Sequence, residues 1–197
     1  AGHRDCGQNG RMSPGRAFWL WHGLFALSCV GLLYLQPLGQ GLLISGLVAF
    51  YHLGLWATLL LDRDRGGQRL WMFLLPLSLL MVLPDAWLSQ QQVLRFADHG
   101  LPTVAGVPIY MAFMWVIPLF FVLSLARAHE FGGAWRSALL ALLVFAGAEY
   151  LAPHLQIWSP QGVVGWGGVA LYILPAEAWL GAATAIAYAN FDQQPLT

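Results

Sequence analysis

The sequence contains no lysine, and all nine of its basic residues are arginines. A retinal-binding rhodopsin needs a lysine to form the Schiff base with its chromophore, so that class is excluded. Charged residues make up only 9% of the 197 residues, against roughly 25% in an ordinary soluble domain. The net charge is zero and no basic run occurs, which argues against nucleic acid as a partner.

Cysteine is also sparse, with two residues, and histidine occurs six times. The two cysteines are Cys6, in a polar tail, and Cys29, in an apolar run, and they have no metal-ligand spacing. His22 and His52 would suit a b-type haem if they faced each other in a bundle, although a single histidine on an apolar face usually serves packing. We therefore expect no metal and no cofactor.

Long apolar runs fill most of the chain, which is 58% hydrophobic with a mean hydropathy of +0.62. A spanning helix needs about 20 apolar residues, so the chain has room for roughly six. We predict an all-α fold, a polytopic membrane helix bundle of about six transmembrane helices. The predicted spans are about residues 17–35, 41–61, 70–88, 107–126, 136–155 and 166–190.

The arginines predict the orientation of these spans. Residues 1–16 form a polar tail, 17–190 a single transmembrane domain, and 191–197 a short C-terminal tail. With a cytoplasmic N-terminus, eight of the nine arginines lie on the inner side and only Arg95 lies outside. We expect both termini in the cytoplasm of a bacterial cell, with the bilayer as partner. Six tryptophans then fall near the two interfaces: Trp87, Trp158 and Trp166 outside, Trp19, Trp71 and Trp135 inside.

A short motif recurs along the chain. Gly106–Tyr110 reads GVPIY and Gly168–Tyr172 reads GVALY, 62 residues later. An acid precedes each copy near the end of the previous helix, Asp85 in one case and Glu149 in the other. Spans three–four and five–six are therefore predicted to be two copies of one hairpin in the same orientation, a parallel repeat.

Three carboxylates lie inside the predicted spans: Asp85, Glu149 and Glu177. An ionisable residue at the centre of a bilayer costs about 3 kcal/mol or more to insert, so it usually faces the bundle interior and has a function. The predicted topology puts all three between the membrane centre and the outer interface, where they would be able to share one cavity. Two structural alternatives stay open: Asp85 as a cap at the outer interface, and Glu149 and Glu177 as neutral carboxyls held by a Tyr or Trp hydrogen bond.

The second hairpin carries a recognisable pattern. An acid, Glu149, is followed by a Trp-containing loop, and the next helix begins with a Pro-x-Glu motif at Pro175 and Glu177. This pattern resembles the small membrane-embedded lycopene cyclases of the heterodimeric bacterial and fungal type. Those cyclases carry Pro-x-Glu-Glu, whereas Ala178 stands at the second Glu here.

The first hairpin, with Gly106–Tyr110 and Met114–Pro118, is similar to the related membrane carotenoid hydratases. The resemblance covers about residues 80–190. It implies an isomerase- or lyase-type enzyme in which a buried acid protonates a polyene or prenyl lipid and the carbocation cyclises or is hydrated. The implied catalytic residues are Glu177, Glu149 and Asp85, and the aromatic residues expected to bind the isoprenoid or pigment are Tyr110, Trp115, Tyr150, Tyr172 and Trp179.

Two other functions remain open from the sequence alone. A non-catalytic subunit that binds a pigment or lipid would have the same composition. A small proton-coupled transporter would also carry a repeat and acids at membrane depth. Among the acids, Glu177 differs from the other two because its counterpart in the first copy is Trp115, not an acid.

Overall fold

The computed structural model describes residues 15–34, 40–128, 133–167 and 169–193. The chain is mostly helical, as predicted, with short two-stranded ladders in the connections. The helices are α1 (Arg16–Tyr34), α2 (Gln40–Leu61), α3 (Arg65–Leu80), α4 (Val82–Gln90), α5 (Met111–Met114), α6 (Val116–Ala128), α7 (Gly133–His154) and α8 (Ile173–Asp192). The strands are β1 (Leu94–Phe96), β2 (Thr103–Val104), β3 (Val107–Pro108), β4 (Trp158–Pro160), β5 (Gly165–Trp166) and β6 (Val169–Ala170).

Within the described residues, four stretches are long and apolar enough to cross a membrane: Arg16–Leu33, Gly41–Leu61, Arg65–Gln90 and Gly133–His154. Their outer surfaces are strongly apolar; Leu27 and Leu53, for example, are 70% and 72% exposed. Such surfaces belong in lipid, so the chain is a membrane protein by the length and composition of its helices.

The fourth and sixth predicted spans begin too early. The apolar helix of the fourth is shorter, Met111–Ala126, because the chain from Thr103 to Pro108 forms the hairpin β2–β3. The sixth begins only at Ile173, after the hairpin β5–β6, and α8 is not among the four membrane-length stretches. Glycine-rich turns explain both differences, since Gly106 and Gly167 adopt φ of 85° and 60°.

Prolines divide two of the spans. Pro84 has no N–H to donate to the carbonyl of Leu80, and α3 ends at Leu80 before α4 begins at Val82. Pro118 interrupts the next span in the same way, and α5 ends at Met114. The break after α3 puts Asp85 in the first turn of α4, where the helix dipole favours an acid.

The two predicted copies are visible in the strand pairing. We call α3–α6 (residues 65–128) the first copy and α7–α8 (residues 133–192) the second copy. Strand β1 pairs antiparallel with β4, and Arg95 lies opposite Ser159. Ser159 lies 64 positions after Arg95 and is its counterpart in the second copy. Each of the two residues therefore pairs with its own equivalent, as residues on a pseudo-two-fold axis do.

Backbone hydrogen bonds repeat with the same shift. Gln92 and Gln156 both adopt positive φ, 58° and 52°, one residue before the equivalent donors Val93 and Ile157. Beyond β1 and β4 the shift becomes 62, because the loop of the first copy is two residues longer. In the following pairs the first residue of each bond donates its N–H to the carbonyl of the second. The matched bonds are Val93 to Leu88 and Ile157 to Ala152, Gln91 to Trp87 and Leu155 to Leu151, Ala97 to Ile157 and Gln161 to Val93, and Ile109 to Pro102 and Leu171 to Val164.

Candidate functional site

A cavity of about 990 Å³ lies inside the bundle, and all three predicted acids line it. Its walls come from α1, α2, α4, α5, α6, α7 and α8, and nearly all of the lining is apolar or aromatic. A volume of this order is large for a small-molecule site, whose typical range is about 300–1,000 Å³. The cavity therefore combines much apolar surface with a small number of acids.

The three carboxyl groups are deeply buried but have different partners. Asp85, Glu149 and Glu177 are 5%, 8% and 3% exposed. Asp85 Oδ2 accepts a hydrogen bond of 3.0 Å from Trp115 Nε1. Glu149 Oε1 accepts one of 3.1 Å from Trp158 Nε1. Among the residues that the structure describes, Oε2 of Glu177 has no hydrogen-bond partner.

Close packing of α7 against α8 fixes the relative heights of two acids. A Cβ on Gly181 would overlap the side chain of Ala141 and the carbonyl oxygen of Ser137, so the helices meet there at close range. Glu149 lies eight residues beyond Ala141 on α7, and Glu177 lies four residues before Gly181 on the antiparallel α8. At about 1.5 Å of rise per residue, the two acids differ in height by roughly one helical turn.

Many of the residues that line the cavity come in equivalent pairs from the two copies. Asp85 and Glu149 are one pair, and Trp115 and Glu177 are another. Trp115 donates to Asp85, and Glu177 occupies the equivalent position in the second copy, whose other acid is Glu149. Further pairs that both line the cavity are Met81 and Phe145, Pro84 and Ala148, Leu88 and Ala152, Leu94 and Trp158, Met111 and Ile173, Met114 and Ala176, and Pro118 and Leu180.

Residues 82–197 match the family model described as a domain of unknown function, DUF6989. The match covers more than half of the chain. The chain belongs to this family. No curated protein and no solved structure matches it.

The DUF6989 region contains all three acids and both indole donors, together with most of the two copies. Helices α1 and α2 precede it, although both contribute to the cavity wall. All three acids of the cavity thus belong to the family domain, whereas the lining residues from α1 and α2 do not.

The aromatic residues predicted to bind substrate divide into two groups. Trp115, Tyr172 and Trp179 line the cavity. Tyr150 does not: it is 51% exposed and its ring packs on His154 with centroids 5.0 Å apart. Tyr110 is buried but does not line the cavity either, so the positions of these two residues do not support a binding role.

The alternative in which Asp85 caps a helix end at the outer interface does not fit its position. Asp85 lies in the first turn of α4 and is almost fully buried. Trp158, in contrast, was predicted for the outer interface, and its indole N–H reaches inward to Glu149. The Trp-containing loop of the cyclase-like pattern was the one signal in the sequence that pointed to this residue.

Both histidines are engaged by protein groups. His52 Nε2 lies 3.0 Å from the carbonyl of Phe113, and Nδ1 accepts from Trp71 Nε1 at 3.2 Å, which leaves no lone pair for iron. His22 Nδ1 lies 2.9 Å from the carbonyl of Phe18, and Nε2 lies 3.0 Å from the hydroxyl of Tyr51. The packing interpretation of both residues fits these bonds, and the haem interpretation does not.

Within residues 15–34, 40–128, 133–167 and 169–193, no group of three or more His, Cys, Asp or Glu side chains is placed to hold a metal ion. Cys29 is a free thiol in the cavity wall. Cys6 lies outside the described residues. The polar chemistry of the cavity therefore rests on its carboxyl groups.

Proposed function

We propose that this protein is an integral membrane enzyme of isoprenoid or carotenoid metabolism that protonates a carbon–carbon double bond of a polyene or prenyl lipid. The observation that carries the proposal is the meeting of Asp85, Glu149 and Glu177 in one large apolar cavity. An apolar chain would fill such a cavity, and a carboxylic acid beside it would supply the proton.

The proposed topology has six membrane crossings, made by α1, α2, α3–α4, α5–α6, α7 and α8, with the two copies in parallel. Both termini would be in the cytoplasm and the membrane would be the bacterial cytoplasmic membrane. The arginine distribution supports this orientation, since the described inner ends of the helices carry Arg16, Arg65, Arg69 and Arg136, while Arg95 is in β1 at the other end.

The hydrogen bonds suggest different roles for the acids. Glu177 is the proton donor in this proposal. Its buried oxygen Oε2 has no hydrogen-bond partner among the described residues, and a buried carboxyl group without a partner is more stable protonated than charged. Asp85 and Glu149 each accept an indole N–H, which stabilises a carboxylate. One of them would accept the proton that the cationic intermediate releases, while the carboxylate left on Glu177 balances the positive charge.

The proposed step balances without a further reactant. The carboxyl O–H of Glu177 breaks, its proton forms a C–H bond at one carbon of the double bond, and the other carbon becomes a cation. A second double bond of the chain attacks that cation and closes a ring. Glu149 or Asp85 then removes a proton from the adjacent carbon, which restores a double bond and leaves an isomer of the substrate.

The aromatic wall suits such an intermediate. Trp115 packs on Phe145 with ring centroids 5.3 Å apart, and both residues line the cavity. The faces of aromatic rings attract cations, and an apolar lining keeps water from trapping the cation early. Entry of one water at the cation would give a hydrated product instead of a ring.

The test is Glu177→Gln in purified protein incubated with linear prenyl and polyene substrates, with products resolved by chromatography and mass. We expect the wild type to form an isomer or hydrate of one substrate, and the variant to lose at least about a hundredfold in rate, the usual contribution of a general acid. Asp98→Asn, in an exposed loop, is the matched carboxyl control and should leave the rate unchanged.

Equal product formation by Glu177→Gln and wild type would refute the assignment of that residue. A wild-type protein that binds a polyene stoichiometrically and returns it unaltered would indicate a pigment- or lipid-binding subunit instead. Substrate flux across proteoliposomes that depends on these acids, without any product, would indicate a transporter.

A further inference from the structure

Helix α1 lines the cavity along much of its length. The lining residues His22, Phe25, Cys29 and Leu33 are spaced by three and four positions, so they lie on one face of the helix. From His22 to Leu33 this face extends over about 16 Å at a rise of about 1.5 Å per residue. The cavity is therefore elongated along α1.

This face of α1 offers no strong polar group to a ligand. The ring nitrogens of His22 are occupied by backbone carbonyls and by Tyr51. Phe25 and Leu33 are apolar, and the thiol of Cys29 is only a weak hydrogen-bond donor. The three carboxyl groups come from α4, α7 and α8. The acids and the α1 face thus form different walls of the same cavity.

Aromatic packing closes the cavity at its His22 end. Phe121 of α6 lines the cavity and packs on His22 and on Phe18, with ring centroids 5.1 and 5.2 Å apart. Phe18 is 3% exposed, so this end is firmly packed. A chain that lies along α1 reaches a wall there.

We infer that α1 is the wall along which the apolar chain of the ligand lies, and that Phe25 and Cys29 limit the length of chain that the cavity accepts. The ligand class, a linear prenyl or polyene chain, rests on the function proposed above. Helix α1 precedes the DUF6989 region, whereas the three acids lie within it. The part of the protein that selects the length of the ligand is therefore separate from the part that supplies the acids.

The experiment measures binding to the full-length protein in detergent or nanodiscs, without turnover. Geraniol, farnesol and geranylgeraniol compete with the fluorescent polyene cis-parinaric acid. In Cys29→Trp, we expect geranylgeraniol to compete at least about tenfold more weakly while geraniol is unaffected, because even one methylene changes affinity by about that factor in an apolar pocket and an indole is far larger. Leu27→Trp is the matched control, because Leu27 is on the same helix, 70% exposed and outside the cavity lining.

A second pair of variants covers the case in which Cys29→Trp does not fold. Cys29→Ala and Phe25→Ala enlarge the cavity, and both should bind geranylgeraniol more tightly relative to geraniol than the wild type does. The inference is overturned if the relative affinities of the three alcohols stay unchanged in these variants, or if Leu27→Trp alters them as strongly as Cys29→Trp.

The same measurements separate this inference from the proposed function. If the variants change the length selectivity but the protein never forms product, the inference about α1 is supported and the proposed enzyme function is not. If the protein forms product but substitutions at Cys29 and Phe25 leave the length selectivity unchanged, the enzyme function is supported and the inference about α1 is not.

Discussion

The two copies share several backbone hydrogen bonds in their turns and hairpins, yet they present different chemistry to the cavity. In the first copy Trp115 donates an indole N–H to the acid of its own copy, Asp85. In the second copy the equivalent position is Glu177, so this copy contributes two acids, Glu149 and Glu177, to the cavity lining. One substitution on a repeated scaffold thus converts a position that donates a hydrogen bond into a second carboxyl group.

The copies also differ in how closely their helices pack. Where α7 and α8 meet, the second copy has Ser137, Ala141 and Gly181, and the first copy has Phe73, Leu77 and Leu119 at the equivalent positions. Small residues let helix backbones approach closely in membranes. The close approach in the second copy fixes the height of Glu177 relative to Glu149, and this supports assigning the acid chemistry to that half.

The largest effect is expected from making the second copy like the first, with Glu177→Trp. The proposed proton donor is then replaced by an indole, and we expect product formation to fall at least about a hundredfold. The assay is the substrate conversion described for Glu177→Gln, with thermal unfolding as the check that the protein is folded. Retained activity in a folded Glu177→Trp protein would show that the difference between the copies is not the source of the chemistry.

A smaller effect is expected from Gly181→Leu, which puts the leucine of the first copy into the second. The added side chain meets Ala141 and Ser137, so the helices must separate. Overpacking of this kind costs about 1–3 kcal/mol, which a thermal unfolding midpoint in detergent would report. Ala187→Leu, at an exposed position of the same helix, is the control, and an equal loss in both variants would contradict the close packing.

The smallest effect is expected from Trp158→Phe, which removes the indole donor to Glu149 and keeps an aromatic ring. A hydrogen bond contributes about 0.5–1.5 kcal/mol net, so we expect kcat to fall about two- to tenfold with KM nearly constant. Trp166→Phe, at a residue that is 82% exposed, should have no effect. A change in KM alone would indicate that Trp158 contacts the substrate and does not position the acid.

Helix positions were largely predictable where an apolar run has polar ends. The predicted spans 17–35, 41–61 and 136–155 agree with α1, α2 and α7 to within a few residues. The predictions for the fourth and sixth spans included residues that form hairpins, such as Val107 and Val169. Apolar residues occur both in membrane helices and in these hairpins, so hydropathy does not distinguish them. It also does not predict the turns at Gly106 and Gly167, where the chain reverses direction.

The candidate site was predictable in its acids and less so in its aromatic residues. An acid inside a span is costly in lipid, and this predicts that it faces inward; the low exposure of Asp85, Glu149 and Glu177 confirms it. An aromatic residue is tolerated on either side of a membrane helix. Tyr150, next to Glu149, therefore faces outward, while Trp158 in the following connection faces inward.

By itself the sequence determined the class of protein, the presence of two related hairpins and the inward orientation of three acids, because each follows from the cost of polar groups in lipid or from direct repetition. Only the tertiary structure decided that the acids share one cavity, that Asp85 and Glu149 accept indole donors while an oxygen of Glu177 has no partner among the described residues, and that α1 forms the apolar wall. In a helix that is apolar on every side, the sequence does not show which face contacts which neighbouring helix. That orientation is set by packing in the folded protein, as at Gly181, where α8 meets α7 closely.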